Sequence, residues 1–204
     1  MRKFLILLLL LAGSAAYAEE SISVCYNYGC IDEETAQFSE PQLRTLAIKL
    51  GSTRSAAEER KVLADVMGQL YYWAGQQTPV YADKGGNTFD DAVNGAMDCI
   101  DHSTTTTRIL KMLERRRLLR YHEVEDVARR SRLILFEHFS AVIKELPHAL
   151  MPKQGDDGIL DFMVEAKPHR YVVDSWFVNN GTPAVILPLK DWVDGAGPNV
   201  EPSR

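Results

Sequence analysis

The sequence predicts a mixed α+β domain in which helices come first and an antiparallel sheet follows. In the first half of the chain, apolar residues recur at the spacing of helices that are buried on one face. In the second half, runs rich in β-branched and aromatic residues replace them. Asn179-Asn180-Gly181 lies between two of these runs and is a hairpin signal, which favours antiparallel pairing. We expect the helices to pack on one side of this sheet.

Residues 1–18 have the features of a cleavable signal peptide. Two basic residues precede an unbroken apolar run at 4–11, and Ala16-Tyr17-Ala18 supplies the small-x-small pattern that signal peptidase requires. The apolar run is too short for a membrane span, which needs about 20 apolar residues. The sequence therefore predicts cleavage before Glu19, a periplasmic or secreted location and no stable membrane span after cleavage.

The composition of the chain is that of one globular domain. Its hydrophobic fraction of 46% is too high for a disordered protein. Its net charge of −5 provides no general basic field, so we expect no nucleic-acid partner. We divide the mature chain into an irregular N-terminal arm at 19–38, a single domain at 39–193 and a flexible tail at 194–204.

Three cysteines suggest one disulfide and one remaining thiol. Cys25 and Cys30 lie close together in the N-terminal arm, and cysteines tend to pair in an oxidising compartment. A disulfide between them would hold the arm. Cys99 is then the odd cysteine, which indicates a partner cysteine, a reactive thiol or a buried inert one.

Two helices are predicted before residue 75. Ser39 is a candidate N-cap with Pro41 in the first turn, and Gly51 can end this first helix. A longer second helix is predicted over residues 55–74, where apolar residues line one face.

A third helix is predicted to start at Cys99, with Asp98 as its N-cap, after a stretch rich in Gly, Asp and Asn. Beyond residue 117 the pattern changes to strands. The predicted strands are 121–128, 133–144, 170–178 and 184–189, with a polar loop at 147–168.

Cys99, His138 and Asp174 form the candidate chemical site. The partial positive charge of a helix N-terminus favours the thiolate of Cys99, and a neighbouring imidazole lowers the pKa of a thiol further. His138 and Asp174 lie in consecutive predicted strands, where a carboxylate could orient the imidazole as a general base. Free N–H groups at the helix start could stabilise an oxyanion.

Each of these three residues also has a purely structural interpretation. His138 could be a core histidine with satisfied hydrogen bonds, and Asp174 could accept backbone hydrogen bonds. Cys99 could be an inert buried thiol. The hypothesis of a site depends on the order and the structural context of all three together.

Weaker candidates surround this set. Asn94, Asp98 and Trp176 are candidates for the oxyanion site or the substrate cleft. Cys99 and His102 form a Cys-x-x-His pair, but no second pair completes a zinc site. The remaining histidines are interpreted as isolated surface residues: His122, His148 and His169.

Three segments carry a resemblance to a known family. They are Met97-Asp98-Cys99-Ile100-Asp101, His138-Phe139-Ser140-Ala141-Val142 and Tyr171-Val172-Val173-Asp174. In this order and context, they resemble the nucleophile, base and orienter segments of the bacterial transglutaminase-like cysteine proteinases, which have a papain-type core. The likeness extends from Gly95 to about Trp192.

The resemblance implies a nucleophile at Cys99, a base at His138 and an orienter at Asp174. It departs from the family pattern at Ile100, where the family has an acidic residue. Some members bind calcium through acidic residues near the cysteine, which makes Asp98 and Asp101 weak calcium candidates. Helix capping and matching of the helix dipole explain both residues without a metal, and we expect no cofactor.

The sequence thus predicts an exported cysteine hydrolase of the peptidase or amidase type. It would act on amide bonds of a protein or peptide substrate in the cell envelope, through an acyl-enzyme on Cys99. The alternative is a non-catalytic module on the same fold that binds a peptide or an envelope component.

Overall fold

The structure is a computed structural model that describes residues 19–86, 90–132, 136–147 and 169–198. The predicted signal peptide, most of the predicted loop at 147–168, His148 and residues 199–204 lie outside the described residues. In chain order the elements are β1 (Glu20–Tyr26), β2 (Asp32–Phe38), α1 (Glu40–Gly51), α2 (Ala56–Gly75), a 3-10 turn (Pro79–Ala82), α3 (Cys99–Arg115), β3 (His122–Arg132), β4 (Phe136–Glu145), β5 (Arg170–Asp174), β6 (Val185–Pro188) and α4 (Leu189–Val193).

The N-terminal segment is a β-hairpin and not the irregular arm expected from the sequence. Strands β1 and β2 pair in antiparallel register from Glu20 with Phe38 to Tyr26 with Asp32. Ile22, Val24 and Tyr26 lie on one face of β1 and are buried in the core, and Cys25 on the other face is buried as well. The hairpin therefore belongs to the core of the domain.

Capping side chains fix the starts of the three long helices. Ser39 and Gln42 form a capping box at α1, and the Ser55 side chain accepts the N–H of Glu58 at α2. Asp98 caps α3 in the same way. The buried side chains of these helices join those of the hairpin and one face of the larger sheet in a single core.

The larger sheet is antiparallel, with strand order β3-β4-β5-β6 and a bulge in β3 between Glu125 and Ala128. Ala141 and Val173 point into the main core with the helices. Val142 and Val172 point to the opposite face, where the fully buried Trp192 covers them. The prediction of helices on one side of the sheet is thus incomplete, because the short α4 covers the second face.

The chain beyond α4 packs beside the sheet as far as Ala196. Arg130 donates to the backbone oxygens of Trp192 at 2.5 Å and Ala196 at 2.8 Å. Its guanidinium also lies 4.6 Å from the Trp192 ring. Arg130 is the cross-strand neighbour of His138, so this segment is held beside the candidate site.

Candidate functional site

Cys99 is the first residue of α3, and a reciprocal cap fixes this helix start. One Asp98 oxygen accepts the N–H groups of Ile100 and Asp101 at 2.9 Å, and the Asp101 carboxylate accepts the N–H of Asp98 at 3.0 Å. The predicted N-cap role of Asp98 is confirmed. Because Asp98 occupies two helix-start N–H groups, the N–H of Cys99 is the one that this cap leaves for an oxyanion.

The Cys99 sulfur lies against the backbone of β4 on both sides of His138. The described pairing of β4 with β5 ends at Ala141 and Val173. The backbone of β4 before Ser140 is therefore not paired with β5 and can bond other groups. The Cys99 sulfur lies 3.8 Å from the Glu137 carbonyl oxygen, and the Phe139 N–H also bonds to it. The helix start and the strand edge thus place the thiol against the backbone that carries His138, where the bonding partners of the sulfur are backbone groups and not the imidazole.

His138 and Asp174 are directly hydrogen-bonded. Nε2 of His138 lies 2.8 Å from Oδ2 of Asp174, and both side chains are largely buried. Because side chains alternate along a strand, His138 shares its face of β4 with Ser140 and Val142. A nitrogen that bonds a carboxylate carries the proton in the neutral ring, so Nδ1 of His138 is the basic nitrogen.

Asp174 accepts two further hydrogen bonds. The indole N–H of Trp192 donates to Oδ2 at 2.8 Å, and the backbone N–H of Trp176 donates to Oδ1 at 3.2 Å. This second bond forms a local turn and explains why β5 ends at Asp174 rather than continuing to residue 178. The sequence gives no sign of this role of Trp192, because the residue lies 18 positions beyond Asp174 in the chain.

Aromatic rings surround the His138 imidazole. The ring centroids of Trp176, Phe177 and Trp192 lie 4.7, 5.4 and 5.5 Å from that of the imidazole. These rings limit the access of water to the bond between His138 and Asp174, which strengthens an electrostatic interaction. Trp176, a cleft candidate from the sequence, thus contributes both its ring and its backbone N–H to the site.

The environment of Cys99 raises its pKa, contrary to the sequence-based expectation. Burial is the largest cause, and the negative charges of Asp98 and Asp174 add to it. The hydrogen bond from the Phe139 N–H acts in the opposite direction. Burial, helped by the charge of the capping carboxylate, outweighs the predicted effect of the helix N-terminus, and the thiol form is therefore the resting state at neutral pH.

A buried polar cluster joins α3 to the end of β5 behind this site. Both ring nitrogens of His102 are bonded, Nδ1 to the Ser175 hydroxyl at 2.8 Å and Nε2 to Asp83 at 3.1 Å. Thr106, one turn further along α3, lies 2.9 Å from the same hydroxyl. His102 is thus not paired with Cys99 as a zinc ligand. It connects the helix that carries Cys99 to the residue that follows Asp174.

The turn between β1 and β2 packs on the start of α3. The N–H groups of Tyr28 and Cys30 donate to Asp101, at 2.9 and 2.5 Å, and the Gly29 N–H donates to Asp98 at 3.0 Å. All four carboxylate oxygens of Asp98 and Asp101 thus accept backbone N–H groups, the capping role that needs no metal. N–H donors also oppose a bound cation, so this arrangement does not fit the calcium role considered for these two residues.

The segment before Cys99 is held by the same turn. The Asn27 side chain donates to the side-chain oxygen of Asn94 at 3.1 Å and accepts the Gly95 N–H at 2.9 Å. Gly95 has a φ of +93°, and a Cβ there would lie 2.0 Å from the Pro79 carbonyl oxygen, so only glycine fits. The side chain of Asn94, an oxyanion candidate, is engaged with Asn27.

Cys25 and Cys30 form a disulfide, as the sequence suggests, and Cys99 is the free cysteine. The disulfide is compatible with a secreted protein. None of the helices within the described residues is long and apolar enough to cross a membrane.

His122 is not the surface histidine expected from the sequence. It is fully buried with Glu59, and its Nδ1 lies 2.8 Å from a Glu59 oxygen. Glu59 also accepts the backbone N–H groups of Arg120 and Tyr121. His169 is exposed, as predicted.

Comparisons with known proteins found no match, so the candidate site is judged from its geometry. No family model matches this chain, and neither does a curated protein or a solved structure. The resemblance to the transglutaminase-like cysteine proteinases therefore remains an interpretation of the residues around Cys99, His138 and Asp174.

Proposed function

We propose that this protein is an exported cysteine hydrolase of the peptidase or amidase type, similar to the transglutaminase-like cysteine proteinases. One observation carries the proposal. The free thiol of Cys99 lies against the backbone on both sides of His138, whose imidazole is bonded to Asp174 at 2.8 Å. A nucleophile, a base and an orienter in this order are the elements of amide hydrolysis through an acyl-enzyme.

Proton transfer accompanies the attack in this mechanism, because Cys99 rests as a thiol. Nδ1 of His138 accepts the thiol proton while the sulfur attacks the amide carbonyl carbon. The carbonyl oxygen becomes an oxyanion, for which the N–H of Cys99 is available. The carbon–nitrogen bond then breaks, His138 gives its proton to the leaving amine, and a thioester remains on Cys99.

Water completes the reaction. His138 removes a proton from a water molecule, which attacks the thioester carbonyl, and the Cys99 sulfur leaves and recovers its proton. Asp174 keeps the proton of the neutral imidazole on Nε2 and stabilises the imidazolium that forms in each half of the reaction.

A second candidate function is a non-catalytic binding module that recognises a protein or peptide of the cell envelope. The raised pKa of Cys99 favours this alternative, because the thiolate is the reactive form and burial disfavours it. In such a module the His138–Asp174 bond would be structural.

Trapping of the acyl-enzyme distinguishes these two functions. We expect mature protein that is incubated with a mixture of envelope-derived peptides and quenched in acid to gain the mass of an acyl group on Cys99. Cys99→Ser and His138→Ala should not form a thioester, whereas His169→Ala, at an exposed histidine, should resemble the wild type. Peptide binding without any acylated or cleaved species would support the binding module instead.

A further inference from the structure

The strongest further feature of the molecule is the turn from Asn27 to Cys30. All four residues have left-handed backbone conformations, with φ values of 64°, 64°, 71° and 58°. Three of the four are not glycine, so this conformation is unfavourable in an unconstrained chain. The surrounding bonds must therefore hold the turn in place.

One of these constraints is the disulfide, and others are hydrogen bonds to residues beside Cys99. The Cys25–Cys30 disulfide closes the turn at its base. From the turn, three backbone N–H groups reach the carboxylates of Asp98 and Asp101, on either side of Cys99 in the chain. A change at the disulfide therefore acts on the groups that define the start of α3.

The surroundings of the disulfide suit its reduction. Cys25 is fully buried, and Cys30 is only partly so, which makes the Cys30 sulfur the point of attack. Arg108, which is also paired with Glu33, has a guanidinium nitrogen 3.3 Å from the Cys25 sulfur, nearer than the Glu33 oxygen at 3.7 Å, and would stabilise the Cys25 thiolate as a leaving group. A Glu33 oxygen lies 3.1 Å from the Cys30 sulfur and would accept the hydrogen of a Cys30 thiol.

We propose that the Cys25–Cys30 disulfide is a redox switch for the Cys99 site, with a dithiol as the reductant. A thiolate of the dithiol attacks the Cys30 sulfur, the sulfur–sulfur bond breaks, and Cys25 leaves as a thiolate beside Arg108. The second thiol of the reductant displaces Cys30, so two electrons and the protons pass to the protein and the reductant becomes a disulfide.

The reduced protein loses the covalent closure of the turn. Tyr28 and Cys30 then relax from the left-handed conformation, and their N–H groups leave Asp101. Asp101 is buried beside Asp98, so without these donors the two carboxylates cannot remain together, and the helix start moves. The expected consequence, which rests on the proposed function, is a less active Cys99.

Amide hydrogen exchange tests the coupling without any substrate. In protein reduced with dithiothreitol, the amides of Tyr28, Cys30 and Ile100 should exchange at least about tenfold faster than in oxidised protein, while those of α2 remain unchanged. Reoxidation should restore protection. The double variant Cys25→Ser/Cys30→Ser should match the reduced protein and should not respond to dithiothreitol.

Turnover tests the regulatory consequence. Hydrolysis by reduced protein should fall at least about tenfold and return on reoxidation. The switch would be overturned if reduction left amide exchange at Ile100 unchanged, or if it accelerated exchange in α2 as much as at Ile100. Unchanged turnover on reduction would also overturn it. If no hydrolysis is found in either redox state, the proposed function fails, and the exchange measurement still decides whether the disulfide controls the start of α3.

Discussion

Trp192 donates its indole N–H to the same oxygen of Asp174 that bonds His138, and both bonds are 2.8 Å long. Trp192 is completely buried and is kept in place by Arg130. Trp192, which lies 18 positions beyond Asp174 in the chain, thus holds the carboxylate that would orient His138 in the candidate site.

Replacement of Trp192 by phenylalanine should lower both the free energy of unfolding and kcat. The change keeps most of the ring but removes a hydrogen bond to a charged group, which contributes about 1.5–3 kcal/mol to stability. It also loosens the carboxylate that orients His138, so we expect kcat to fall about tenfold or more. Steady-state kinetics and thermal unfolding measure the two effects. Trp73→Phe, the same change in α2, is the matched control and should leave kcat unaltered. Equal kcat for both variants would contradict the role of Trp192.

The raised pKa of Cys99 makes a second prediction. The pH midpoint for its alkylation by iodoacetamide should lie above that of free cysteine, because burial and two nearby carboxylates disfavour the thiolate. At neutral pH the reaction should consequently be slower than with free cysteine, and it should accelerate as the pH rises. Cys99→Ser under oxidising conditions shows that only this residue is labelled. A faster reaction than that of free cysteine at neutral pH would instead indicate a preformed thiolate–imidazolium pair.

Asp101 should show an unusual titration. Burial raises its pKa to about 6, the charge of Asp98 adds to the rise, and backbone N–H bonds from Asp98, Cys30 and Tyr28 oppose it. In the unfolded chain an aspartate releases its proton near pH 3.9. The folded state therefore binds more protons between about pH 4 and pH 6, and the contribution of Asp101 to stability falls as the pH rises through this window.

Carboxyl NMR measures this titration directly. The Asp101 signal should change with a midpoint near pH 6 in the folded protein, and near pH 4 in urea. An equal midpoint in both states would show that burial and the charge of Asp98 do not raise the pKa of this carboxyl group.

Glu59 should be important for stability and not for chemistry. Glu59→Ala would leave the buried His122 and two backbone N–H groups without their acceptor, and we expect a loss of about 3–5 kcal/mol in the free energy of unfolding. Glu58→Ala, at the exposed neighbouring position, is the control. Chemical denaturation of both variants tests this, and a loss below about 1 kcal/mol for Glu59→Ala would contradict it.

Much of the local structure around the candidate site follows from neighbouring residues. Asp98, followed three positions later by Asp101, predicts a helix that starts at Cys99, because each side chain can reach a backbone N–H within one turn. The β-branched and aromatic residues around His138 and Asp174 predict two strands, because such side chains fit a half-buried pleated surface. The end of β5 was placed too late because the Asx turn at Asp174 interrupts an otherwise apolar run.

The pairs that define the site depend on contacts between distant parts of the chain. Trp192 and Asp174 are 18 positions apart, and His138 and Asp174 are 36 positions apart. A buried indole or imidazole needs a hydrogen-bond partner, but which residue becomes that partner depends on how the helices and strands pack.

The sequence by itself determined the candidate residues and the helix at Cys99, and it suggested the pairing of Cys25 with Cys30, since each depends on short-range chemistry. Only the tertiary structure decided that Asp98 and Asp101 hold the hairpin turn, that Trp192 bonds Asp174, and that burial raises the pKa of Cys99. Such properties arise when side chains leave water together and must exchange hydrogen bonds with water for bonds with one another.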